Sequence, residues 1–145
     1  MHLEFNKLSA KEYCTLRAAV QWQPIPEEQA ESGLQHSDFI AVWRDGETVA
    51  GCARVFWDKG YIAYLADVMV HPDYQKQGIG TKLVEECIAF VNRQRKPGWR
   101  IKIVLVSAKG KEPFYEKFGF RLRPNETDGA GMQLWVEDTG ATRCE

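Results

Sequence analysis

The sequence has very little net charge, −1 at pH 7 over 145 residues. It therefore lacks the broad positive field of a nucleic-acid binder, and any anion site has to be local. No apolar run approaches the roughly eighteen residues of a membrane span, and the opening "MHLEFNKLSAKEY" has neither the basic nor the apolar region of a signal peptide. A cytoplasmic chain with no membrane and no nucleic-acid partner is expected. Four cysteines, Cys14, Cys52, Cys87 and Cys144, are scattered without a C-x-x-C pair, so they read as reduced core or tail residues, with no metal site. Internal repeats and low-complexity segments are also missing.

What is present suits a single domain spanning residues 1–145, with residues 137–145 as a loose polar tail: an apolar content of 44% is enough for one core and leaves no room for a second domain. Leu3, Phe5 and Leu8 make a first strand, and Ser9 caps a helix running to about Val20, with Glu12 at the capping-box spacing. Two prolines in "QWQPIPEEQAESG" precede a second helix ending near Gly33. Two β-rich runs, Asp38–Arg44 and Glu47–Trp57, flank Asp45-Gly46, the signal of a tight hairpin, and Tyr61–Val70 adds a third antiparallel strand.

From Gly78 the apolar period changes, with Ile79, Leu83, Val84, Cys87, Ile88 and Val91 on one helical stripe. "KPGW" stops that helix, and Arg100–Ser107 alternates again, which makes a strand–helix–strand unit with its two strands parallel. "KEPFYEKFGF" reads as a short helix between Pro113 and Gly119, and Phe120–Arg123 with Met132–Val136 as a closing antiparallel pair.

The stretch "HPDYQKQGIGTKLVEEC", from His71 to Cys87, puts two glycines where a long helix must begin. Glycine is a costly choice there unless something needs the backbone bare. The first amides of a helix have no intrahelical partner, and together with the helix dipole they form an anion site that residues without Cβ leave open to a phosphate. Lys76, Lys82 and the Thr81 hydroxyl add donors nearby. A P-loop fails for want of Gly-Lys-Ser/Thr after the four-residue gap, and a dinucleotide fingerprint fails because Leu83 stands where its third glycine belongs.

Gln75-Lys76-Gln77-Gly78-Ile79-Gly80 resembles the Arg/Gln-x-x-Gly-x-Gly/Ala signature of the GNAT superfamily of acyl-CoA-dependent N-acetyltransferases. The preceding "VMVHPDY", the later "FYEKFGF" and the order of elements over nearly the whole chain are similar to that family as well. The resemblance implies an α/β (α+β) acyl-CoA N-acyltransferase fold, a mixed, mostly antiparallel sheet of six to seven strands with about four helices. It implies acetyl-CoA as co-substrate, direct acetyl transfer to an amine, and a monomer or homodimer.

Carried over residue by residue, the resemblance gives Gln75, Lys76, Gln77, Gly78, Ile79, Gly80 and Thr81 to the coenzyme A pyrophosphate. Val68, Met69 and Val70 go to the pantetheine arm and the thioester carbonyl, and Phe114 joins the coenzyme site. Tyr115 takes the role of acid toward the leaving thiolate, although Phe114, Phe118 and Phe120 around it also fit plain packing. Asp67 reads in two ways: as the base that deprotonates the amine, or as a carboxylate that pairs locally and holds splayed strands. His71 belongs to the family's His-Pro turn. One position departs from the pattern: Ala108 stands where many members have an Asn seven residues before the Tyr, with Ser107 and Lys109 beside it.

Trp22, Trp57 and Tyr64 are candidates for an aromatic acceptor pocket, or else core. The ending "GFRLRPNETDGAGM" is similar to that of a subgroup including plant chloroplast-type serotonin N-acetyltransferases, which points to a small-molecule amine as acceptor. The alternatives are a non-catalytic acyl-CoA-binding or sensing domain, or an acetyltransferase acting on a polyamine, an aminoglycoside or a protein amine.

Overall fold

The structure, a computed structural model, describes residues 1–138 and the backbone of 142–143. Its elements run β1 (His2–Phe5), α1 (Ala10–Ala19), α2 (Glu27–Gln35), β2 (Phe39–Asp45), β3 (Thr48–Trp57), β4 (Ile62–Val70), a 3-10 turn (Pro72–Tyr74), α3 (Ile79–Gln94), β5 (Lys102–Val104), α4 (Glu112–Glu116), β6 (Trp135–Val136) and β7 (Thr142–Arg143). Cα packing divides the chain into two units, Met1–Leu105 and Val106–Glu145.

In the first unit five strands form one sheet in sequence order, antiparallel from β1 to β4 and parallel between β4 and β5. This is the mixed, mainly antiparallel sheet expected, but with five strands in place of six to seven, because β6 and β7 pair with each other as a separate two-stranded sheet. The capping box is present, with Ser9 Oγ accepting from the Glu12 amide at 3.1 Å and Glu12 Oε1 accepting from the Ser9 amide at 3.0 Å. The β2–β3 turn falls one residue later than expected. Asp45 pairs with Thr48, so Gly46 and Glu47 form the loop, and the displaced register is absorbed at Ala50, which pairs with nothing between Trp43↔Gly51 and Arg44↔Val49.

Successive side chains of the central strands point to opposite faces, and both faces are covered. On one side Ile40, Val42, Cys52 and Met69 cluster with Tyr13 and Leu16 of α1 and Ala30 and Leu34 of α2. On the other side Phe39 stacks on Phe90 of α3 at 4.6 Å. A Cβ built on Gly51 would stand 2.8 Å from Met69 O and 3.0 Å from Leu83 Cδ1, so the close approach of β3, β4 and α3 there requires glycine. Burial on both faces explains why β2 reads as a continuous apolar run instead of an alternating one.

Cys52 and Cys87 are buried free thiols and Cys14 is partly buried; burial pushes the Cys87 thiol up to about 12, and Cys52 higher still. Cys144 lies outside the described residues. So does most of the tail expected to be loose, from which Thr142–Arg143 nevertheless forms β7. No helix among the described residues is long and apolar enough to cross a membrane.

The second unit corrects the expected closing pair. Phe120–Arg123 forms no strand, and Trp135–Val136 pairs with Thr142–Arg143 instead. Local side-chain bonds capture the earlier segment: Asn125 Nδ2 donates to Leu122 O, Asn125 Oδ1 accepts from the Thr127 and Asp128 amides, and Arg123 Nε donates to Gly129 O. Such Asn-centred turns compete with ladder formation. The strand expected over Arg100–Ser107 is also shorter, because only Lys102–Val104 meets β4.

Candidate active site

The site is built where β4 ends and α3 begins. β4 pairs with β5 only over Ile62–Tyr64, so beyond Tyr64 its β5-side edge has no strand partner among the described residues. Val68, Met69 and Val70 lie on that stretch. On the β3 side the ladder skips: Cys52 pairs with Met69 and Arg54 with Ala66, leaving Asp67 and Val68 opposite Ala53 alone. This is a β-bulge, and Asp67 adopts the left-handed backbone it needs, with φ +54°. A bulge takes a main-chain amide out of the ladder and re-aims the side chain beside it.

Asp67 points its carboxylate into a cluster drawn from four elements. Tyr13 of α1 donates its hydroxyl to Oδ2 at 2.6 Å, and Arg54 of β3 donates from Nε to the same oxygen at 2.7 Å, with its Nη2 in ion-pair contact at 2.6 Å. Arg54 Nη1 reaches Ser37 Oγ at 3.1 Å, and Ser37 in turn donates to Gly33 O of α2. Burial, with the Asp67 hydrogen bond second, pushes the Tyr13 phenol up to about 12. Arg17 donates to the Tyr13 hydroxyl at 3.2 Å and to Gln23 O at 2.6 Å, and its guanidinium lies over Trp22, 5.5 Å from the ring centroid. Local pairing of Asp67 is thus part of the structure, and both of its side-chain hydrogen bonds and its ion pair fall on one oxygen.

After β4 the chain is held by short-range contacts. The Gln75 side-chain amide donates to Val70 O at 3.0 Å, His71 Nδ1 accepts from the Asp73 amide at 3.1 Å, and Tyr74 donates to Asp45 Oδ2 at 2.7 Å. His71 is therefore a turn residue. Lys76 and Gly78 both take left-handed backbone, φ +62° and +81°, which swings the chain into α3. The first amide of α3 to close a helical bond is that of Lys82, onto Gly78 O at 3.1 Å. The amides of Ile79, Gly80 and Thr81 have no helical partner, and no side chain caps them. Of the residues predicted for the loop, the Ile79 side chain is buried in the core, while Gln75, Lys76, Gln77, Gly78 and Thr81 are exposed. Such a set of free amides suits a diphosphate.

The aromatic candidates are not brought together. Trp22, with Cys14, Arg17, Ala18, Pro24 and Ile25, lines a cavity of about 180 Å³ beside α1. Trp57 instead donates its indole N–H to Gly60 O, and Tyr64 stacks on Phe56 toward the other end of β4. In the second unit Phe114 and Tyr115 sit on α4 in an aromatic cluster, Phe114 edge-on to Tyr115 at 5.0 Å and to Phe118 at 5.3 Å, Tyr115 edge-on to Phe120 at 6.1 Å. Ser107 turns its hydroxyl onto Ala108 O at 2.7 Å. Sequence reading missed Tyr13 and Arg54 altogether. Tyr13 looks like an ordinary core aromatic of an amphipathic helix, and only a lone Arg amid the apolar residues of β3 hinted that a buried acid must face it.

A family model described as an acetyltransferase (GNAT) domain matches residues 35–122. The uncharacterized N-acetyltransferase ycf52 of Porphyra purpurea is 30% identical over 121 residues, covering 81% of this chain and 66% of its own length. The chain thus spans about two thirds of that relative. Among solved structures, a GNAT-family acetyltransferase of Streptococcus pneumoniae superposes with a TM-score of 0.76 at 26% identity, over 94% of this chain and 98% of that one. A Staphylococcus aureus protein of unknown function shares the fold with a TM-score of 0.80 at 23% identity, over 91% and 98%.

Proposed function

Because the chain belongs to the GNAT family of acetyltransferases, we propose that it moves an acetyl group from acetyl-CoA directly to the primary amine of a small molecule. The observation that carries this reading is the row of unpartnered amides at Ile79, Gly80 and Thr81, next in the chain to the open edge of β4. In this reading the loop from Gln75 to Thr81 binds the coenzyme diphosphate through main chain, and Val68–Val70 lie along the pantetheine arm, with Phe114 against the coenzyme.

The thioester supplies the acetyl group, and the chain supplies the rest. Negative charge gathers on the thioester oxygen in the transition state, where one fixed main-chain donor from the bulged strand is worth about 3 kcal/mol. An alkylamine with a pKa of about 10 is free of its proton in only about one molecule in a thousand at neutral pH. Asp67 takes that proton, directly or through a water. Tyr115 gives a proton to the departing thiolate.

The reading is tested by release of free thiol from acetyl-CoA with butylamine, phenethylamine, spermidine, kanamycin and a lysine-containing peptide. Turnover with the simple amines is the expected result. Acetyl-CoA that raises the melting temperature while no amine turns over would establish instead an acyl-CoA-binding domain, a reading favoured by Ala108 at the family's Asn position. Preference for spermidine, kanamycin or the peptide would replace the acceptor class. Tyr115→Phe is expected to lower kcat about tenfold or more and leave acetyl-CoA binding within about twofold. Unchanged kcat with chemistry rate-limiting removes Tyr115 from the mechanism.

A further inference from the structure

We propose that Tyr13 and Arg54 are positioning residues that hold Asp67 in one orientation, with Oδ2 tied back into the protein and Oδ1 left as the oxygen that meets the acceptor amine. The inference rests on the reading of Asp67 as the base, and adds how the two early helices set it.

A carboxylate on a bulged strand has no ladder to fix it, and its oxygens exchange by rotation about χ2. Here the exchange is blocked. Tyr13 and Arg54 Nε both donate to Oδ2 within 2.7 Å, Arg54 Nη2 lies in ion-pair contact with the same oxygen, and no described group bonds Oδ1. Oδ2 is held from two directions, by a phenol on α1 and a charged guanidinium on β3, and the ion pair strengthens the hydrogen bond from Nε. Among the described residues no polar side-chain atom is buried without a partner, which leaves Oδ1 in contact with solvent.

The anchors are themselves anchored. Arg54 is braced by Ser37 at the end of α2 and packs over the Tyr13 and Phe56 rings at 5.4 and 4.8 Å. Tyr13 is braced by Arg17, whose other donors grip Gln23 O in the loop that carries Trp22. Both early helices and the loop between them therefore converge on one carboxylate oxygen. A shift of that loop is transmitted to Asp67 through three successive links, Gln23 O to Arg17, Arg17 to Tyr13 and Tyr13 to Asp67, so the base is aligned only when α1 and the loop are seated.

The test is a double-mutant cycle on the amine of the panel that turns over fastest, with Asp67→Asn, Tyr13→Phe and the pair. Asp67→Asn should lower kcat about 100-fold, and Tyr13→Phe about tenfold with the acetyl-CoA KM unchanged. In the double variant the Tyr13 change should cost nothing further, since its effect runs through a carboxylate already gone. Arg54→Lys keeps the charge and loses the Nε donor, so it should reproduce the loss in kcat and stands in if Tyr13→Phe does not fold.

A normal kcat in Tyr13→Phe and Arg54→Lys, or losses that simply add, overturns the positioning role. Coupling seen in melting temperature but not in kcat also overturns it, because the contact is then only structural. An unaffected Asp67→Asn, or no amine accepted at all, sinks the reading of Asp67 as base and this proposal with it.

Discussion

The loop from Gln75 to Thr81 and the bulge at Asp67–Val68 are neighbours along the chain but are made of different material. The loop works through backbone. Its functional groups are amides, its side chains are mostly exposed, and its shape comes from residues within a few positions of one another, Lys76 and Gly78 in left-handed conformation and Gln75 reaching back to Val70 O. The bulge works through side chains that the fold brings from far away, Tyr13 from 54 positions upstream and Arg54 from 13. A backbone site tolerates change in its side chains and fails when bulk or charge is added. A side-chain network fails when any one partner is removed, because the others are left buried and unpaired.

The largest effect separating the two regions is expected from Gly80→Glu. A carboxylate in the first turn favours the helix dipole, so the fold is kept, but it repels a diphosphate and fills its place. Acetyl-CoA should bind at least about 100-fold more weakly, a loss of roughly 3 kcal/mol, by calorimetry. Undiminished binding by a folded Gly80→Glu protein would remove the loop from the site and end the comparison.

Next comes Gly51→Ala, which adds a methyl where Met69 O stands at 2.8 Å and so presses β3 against the strand carrying the bulge. It should destabilise the protein by about 2 kcal/mol in urea unfolding and lower kcat before it weakens acetyl-CoA binding. Equal effects on both would mean that bulge and loop move together.

The smallest effect is that of Glu12→Gln, whose carboxylate bonds Ser9 and Arg44 and no residue of either region. Glu12 is held down to about 2, first by its hydrogen bond to Arg44, with Ser9 adding to it. Its stabilisation is fully present above the ordinary carboxylate range and is lost as the pH falls from about 4.5 toward about 2. Wild type and variant should therefore differ by about 1 kcal/mol at pH 7 and converge near pH 2 in acid-unfolding curves. The same loss at pH 7 and pH 2 would show that the carboxylate charge is not what Glu12 contributes.

How far each region could be read in advance follows from the range of its contacts. The glycine spacing, the apolar stripe of α3 and the Ser9–Glu12 box are local patterns whose physics is complete within a turn or two of chain, and all three stand in the structure. The β2–β3 turn was readable to within one residue, because the bulge at Ala50 that shifts it depends on pairing and not on the turn residues. The closing strands were not readable, since Asn125 and Arg123 win their segment for local turns in a contest that propensity does not decide.

The sequence by itself determined the element order, the placement of the glycines and the family, because periodicity, capping and a six-residue signature are properties of adjacent residues. Tertiary structure alone decided that Asp67 sits on a left-handed bulge with a tyrosine and an arginine on one oxygen, and that Trp22 lines a cavity that neither Trp57 nor Tyr64 lines. The reason is that strand register and helix docking fix which distant side chains meet, and both are set by burying the whole core at once.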